Sequence, residues 1–106
     1  MVSAKQMVEL ADANINNEYL QTIEQIVKRR AEKGRFYAQL WEGTPTSMDT
    51  ALIFADLYDV DTYNHVRRMG YTLVTEEGAN GDVTLYIGWG FASETALKTA
   101  IKFGEE

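Results

Sequence analysis

Apolar residues recur at helical spacing in the first third of the chain, alternate in the strand-like middle runs, and return to helical spacing at the end. Ala4, Met7, Val8 and Ala11 fall on one helical face. "SAKQ" opens that helix as a capping box: the Ser3 hydroxyl takes an amide of the first turn while Gln6 reaches back. "DANINN", Asp12 to Asn17, interrupts the pattern, because asparagine side chains compete for local backbone groups. A second helix is expected over about Glu18 to Lys33, with Tyr19, Leu20, Ile23, Ile26, Val27 and Ala31 as its stripe and Gly34 just past its end. "RFYAQLWE" then alternates, predicting a strand with Phe36, Ala38 and Leu40 on one face and Tyr37, Gln39 and Trp41 on the other.

"GTPTS" breaks the strand, and Ser47 is placed to cap a short helix containing Ala51, Leu52, Ala55 and Leu57. Asp59 or Asp61 suits the N-cap of a further helix running to Met69, with Gly70 ending it. "GYTLVTEEGANGDVTLYIGWG" predicts a β-hairpin around Asn80-Gly81-Asp82. In its last strand Val83, Leu85, Ile87 and Trp89 share a face. Ser93 caps a final helix, "ETALKTAIKF", with Leu97, Ala100 and Ile101 buried and Gly104 as its stop. The pattern gives one α+β domain, 1–106. Its three-stranded antiparallel or mixed sheet packs on helices, in the order α-α-β-α-α-β-β-α.

The predicted sheet has two partly apolar faces. One carries Phe36, Ala38, Leu40, Leu73, Val83, Leu85, Ile87 and Trp89 and is expected to hold the main helical layer. The other carries Tyr37, Trp41, Val74 and Tyr86. Either the terminal helix covers that second face or another molecule does. Exposed Tyr and Trp are favoured interface anchors, so Tyr37, Trp41, Val74 and Tyr86 are expected to form a contact surface, shared between copies in a homo-oligomer.

Composition narrows the chemistry. The 106 residues include no cysteine, which excludes disulfides, zinc thiolates and a cysteine nucleophile and fits a reducing cytosol. The N-terminal "MVSAKQMVEL" has no signal-peptide pattern, and no run is long enough for a bilayer span, so no membrane role is expected. Net charge is −6 and uneven: residues 1–35 carry six Lys/Arg against five Asp/Glu, and residues 36–106 four against eleven. Such an acidic surface suits solubility, a basic protein partner or mimicry of nucleic-acid charge, and disfavours direct nucleic-acid binding. The basic group Lys28, Arg29, Arg30 and Lys33 sits where cations favour a helix C-terminus, so it is explained without a ligand.

"DLYDVDTYNHV", Asp56 to Val66, concentrates the candidate metal-binding side chains. Started at Asp59, the calcium-loop template meets Tyr63 at position five, Asn64 where a sharp turn needs glycine, and Gly70 where a carboxylate is required. Asp61 and His65 share a helix face, yet a transition metal needs a third ligand, from Asp59, Asp56 or elsewhere. A helix junction explains the stretch better, with Asp61 and His65 as a surface pair. No phosphate-binding loop, dinucleotide fingerprint or nucleophile elbow is present, and the two glycines of "GWGFAS" are accounted for by a strand-to-helix turn. No cofactor and no enzymatic activity are expected.

One arrangement of residues carries a resemblance. A helix ending in "AEKG", the strand "RFYAQLW", a helix leading into "RRMGYTLV", and a strand ending "YIGW" together resemble small uncharacterised α+β proteins encoded by tailed bacteriophages. The likeness spans roughly residues 20–90. Arg68-Met69 precede the Gly-Tyr here, and "IGW" follows the pattern's spacing loosely. The resemblance implies a context rather than an activity. It points to a phage accessory protein in the host cytosol that contacts a host or phage protein and modulates host machinery, or to a virion structural component. A ligand-sequestering or weakly catalytic domain built on Asp59, Asp61 and His65 is the remaining alternative.

Overall fold

A computed structural model describes residues 3–13, 17–78 and 80–103; the side chains at 8 and 11–13 are not described. The elements are α1 (Ala4–Ala13), α2 (Asn17–Glu32), β1 (Tyr37–Gly43), α3 (Thr50–Leu57), α4 (Val60–Arg68), β2 (Thr72–Glu77), β3 (Val83–Gly88) and α5 (Glu94–Lys102). The expected stripe positions Val8 and Ala11, most of the "DANINN" break and the stop at Gly104 lie outside the described side chains or residues.

Local signals set most boundaries. The Ser3 amide donates to Gln6 Oε1 at 3.0 Å and the Gln6 amide to Ser3 Oγ at 3.2 Å, completing the capping box of α1. Helix α2 ends in paired bonds, from the Gly34 amide to the Ala31 carbonyl and from the Arg35 amide to the Arg30 carbonyl. This ending requires a left-handed residue, and Gly34 supplies it at φ 77°. Helix α4 ends the same way at Gly70. Helix α3 is capped by Asp49, whose carboxylate takes the Ala51 and Leu52 amides, rather than by Ser47. Ser47 Oγ instead accepts from the Asp49 amide and holds the cap in place.

The sheet is antiparallel throughout, in the order β1-β3-β2. The hairpin therefore puts β3 at the centre and leaves β1 and β2 as edges. Helices α2, α3 and α4 cover one face. There Ile23, Ile53, Phe54 and Val66 pack on Ala38, Leu73, Val83, Leu85 and Ile87. Helix α5 covers part of the other face, with Leu97 buried against Tyr37 and Val74. Gly88 permits this approach: a Cβ there would lie 2.8 Å from Leu97 Cδ1. Among the described residues no helix is long and apolar enough to cross a membrane.

Strand β1 departs from simple alternation. Gln39 pairs with Tyr86 and Trp41 with Leu85, so Leu40 is an extra residue in a β-bulge. The bulge turns Trp41 onto the main face, where it and Leu40 both pack against the large core. Phe36, expected on that face, precedes the strand and is 62% exposed.

Candidate functional site

The four-residue surface expected from the alternation does not form as one patch. Trp41 lies on the opposite face because of the bulge. Tyr37 and Val74 are buried beneath α5. The physical reason is that a strand-to-helix turn of five residues, 89–93, returns the chain across the sheet end, and α5 is apolar along the side that meets it. Only Tyr86 of the four remains half-open on that side of the sheet.

Helix α5 has nine residues and covers the second face incompletely. Two grooves remain, one on each side of Tyr37. The first, of about 530 Å³, runs along β1 between α2 and α5 and is lined by Ile26, Arg29, Arg30, Tyr37, Ala38, Gln39, Tyr86 and Ile101. The second, of about 500 Å³, lies at the sheet end and is lined by Gly34, Arg35, Phe36, Tyr37, Trp89, Gly90, Phe91 and Ala100. Both volumes fall within the usual range for binding clefts.

The elements fix these side chains in a definite way. The Arg30 Nε donates to the Tyr37 carbonyl at 3.3 Å, joining the C-terminal turn of α2 to the edge of β1. Its guanidinium lies 6.0 Å from the centroid of the Tyr37 ring, within cation–π reach. Tyr37 and Tyr86 meet edge to face with centroids 5.9 Å apart. The Trp89 amide donates to the Phe36 carbonyl at 2.9 Å, which holds the rim of the second groove together.

Cations gather here. Arg29 and Arg30 line the first groove and Arg35 the second. Residue pattern alone assigned the α2 group to helix-end electrostatics and missed its place on a groove. The available signal was that the basic turn runs directly into an aromatic strand, "KRRAEKGRFYAQLW". The linings offer guanidinium, phenol, amide and apolar groups, and include no carboxylate or imidazole.

Asp59, Asp61 and His65 lie on the far helical layer. Asp59 is the N-cap of α4, taking the Thr62 amide at 2.7 Å. Asp61 follows in the first turn and His65 lies in the last. Among the described residues no three His, Asp or Glu side chains are grouped to hold a metal ion. Beside this junction is an aromatic chain: Tyr19 meets Tyr58 at 5.3 Å, Tyr58 meets Phe54 at 4.9 Å, and Phe54 meets Tyr63 at 5.6 Å. Burial raises the pKa of Tyr58 above its ordinary 10.0, because the phenolate would lose hydration there. No family model, curated protein or solved structure matches the chain.

Proposed function

We propose that this protein is a non-enzymatic binding module that acts through protein–protein contact at the two grooves beside Tyr37. The observation that carries this reading is the convergence of Arg29, Arg30 and Arg35 with Tyr37, Tyr86, Phe36 and Trp89 around one end of the sheet. Arginine and the aromatic residues are the types that most often anchor protein interfaces. Long planar side chains contribute contact area at modest entropic cost, and guanidinium groups add directional bonds to carboxylates and carbonyls. The linings supply these groups and no general base of the carboxylate or imidazole type, so the surface is better equipped to hold a partner than to transform one.

The resemblance to phage accessory proteins frames where a partner is sought, among host and phage proteins. Affinity capture on the intact chain, compared between wild type and Tyr86→Ala, tests the reading. A partner retained by wild type and lost by the variant, with an unchanged circular dichroism spectrum, supports a groove-mediated contact. Equal capture by both, or no saturable partner, overturns it.

A further inference from the structure

We infer that Asn80 is a self-modifying site, where the backbone nitrogen of Gly81 attacks the Asn80 side-chain amide and converts the residue to aspartate and isoaspartate without an enzyme. The chemistry balances within the chain and one water. The Gly81 amide gives up its proton and its nitrogen bonds to Cγ of Asn80. The side-chain nitrogen leaves as ammonia and takes a proton with it, which closes a succinimide ring. Water then opens the ring, giving a hydroxyl to one carbonyl and a hydrogen to the nitrogen. Cleavage of the new Cγ–N bond yields aspartate. Cleavage of the original backbone C–N bond yields isoaspartate, in which the main chain runs through Cγ.

Three observations single out this residue among the five asparagines of the chain. The first is the residue that follows. Asn14, Asn16, Asn17 and Asn64 precede Ile15, Asn17, Glu18 and His65, whereas Asn80 precedes glycine. A following side chain crowds the attacking nitrogen; glycine has none and reaches backbone torsions closed to other residues. Gly81 already uses that freedom, at φ 80°. Place is the second. Asn80 and Gly81 are both exposed in the connection between β2 and β3, so ammonia leaves and water enters freely. Asn64 lies within α4, where the helix fixes the torsions the attack must change. Hydrogen bonding is the third. The loop is tied at its base, where the Gly78 amide donates to the Asp82 carbonyl at 2.7 Å and the Thr44 hydroxyl to Asp82 Oδ1 at 3.1 Å. Among the described residues no hydrogen bond engages the Asn80 carboxamide or the Gly81 amide, so neither reacting group is held back.

Either product adds one carboxylate and takes the net charge from −6 to −7. The new charge joins Glu77 and Asp82, both exposed, at the acidic end of the sheet. Isoaspartate also lengthens the loop by one carbon just before β3, the central strand.

Incubation of the intact, folded protein at neutral and at mildly alkaline pH, followed by peptide mass mapping, tests the inference. The peptide holding Asn80 should gain the mass difference between an acid and its amide and separate into two species of that mass. One of them should accept a methyl group from an isoaspartate-specific methyltransferase. Isoelectric focusing of the whole chain should show a new band on the acidic side. Conversion should be faster at the higher pH, because the Gly81 nitrogen attacks as its conjugate base, and the peptide holding Asn64 should stay unchanged over the same time. Asn80→Gln should abolish the mass gain, since its attack would have to close a larger ring; thermal melting checks that this exposed substitution leaves the fold intact. Asn80 converting no faster than Asn64, a rate that does not rise with pH, or the same mass gain in Asn80→Gln overturns the inference.

Discussion

A Cβ built on Gly43 would lie 2.5 Å from Cζ2 of Trp41. The Trp41 ring closes over the end of β1 and needs that position empty. Gly43→Ala should therefore cost about 1–3 kcal/mol, as overpacking does. Urea denaturation measures it, and pairing the change with Trp41→Phe should recover part of the loss because the two sites share one contact. Thr62 presents the opposite case. It is fully buried, and its hydroxyl has no hydrogen-bond partner. Valine keeps the shape and removes the unsatisfied group. Thr62→Val should stabilise the fold by about 1 kcal/mol, visible as a rise in Tm of about 4–8 °C. The cap of α4 was legible only as Asp59 or Asp61, because both suit a helix start, and the structure gives it to Asp59. Its carboxylate holds the Thr62 amide, so Asp59→Ala should cost about 0.5–2 kcal/mol while Asp59→Asn retains most of it. The buried state of Thr62 was not legible, because it depends on which helix face meets the core.

At the scale of elements, local chemistry and long-range pairing part company. The capping box of Ser3 and Gln6, the glycine endings at Gly34 and Gly70, and the hairpin turn at Gly81 were all readable, since each is decided within a few residues. The bulge in β1 was not. Which strand residue is left over depends on the register of β3, more than forty positions away, and a single extra residue moved Trp41 to the other face. The cap of α3 was misplaced for a simpler reason. Ser47 and Asp49 both suit a helix start, and the carboxylate captured two amides where the hydroxyl captured one. The aromatic chain from Tyr19 through Tyr58 and Phe54 to Tyr63 links α2 to the α3–α4 pair. It also makes their docking sensitive to alkali. Tyr58 has a raised pKa in the folded state, so the unfolded chain loses that proton first as pH increases. Its contribution is complete below the ordinary tyrosine value of 10.0 and is lost as pH climbs through the folded value. The denaturation midpoint should fall with pH above that point, and Tyr58→Phe should make the fall shallower.

At the scale of the whole molecule, the second face of the sheet needs a cover, and α5 supplies part of it. Hydrophobic pattern identified the face but not its cover, because the position of α5 depends on how the turn after β3 directs the chain. In the structure Leu97 reaches Tyr37 and Val74, and its δ-carbons occupy the space above Gly88. Helix α5 thus separates a covered half of the face from the arginine-lined groove that remains open. Gly88 leaves the room that this packing needs. A β-branched side chain there would collide with Leu97 and with Phe91, whose Cδ2 would lie 3.0 Å from the added Cβ. In Gly88→Val the added methyl groups should push Leu97 and its short helix off the sheet, while the larger core around Phe54 and Leu85 lies on the opposite face and persists. Displacement would uncover Tyr37 and Val74 beside Tyr86, giving a continuous apolar surface with an unpaired edge alongside it. The variant should show a larger mass than the wild type at the same concentration, as read by light scattering after size exclusion, and should keep its far-ultraviolet circular dichroism. A Gly88→Val protein with the same mass distribution and the same melting temperature as wild type would show that α5 is not what keeps this face closed.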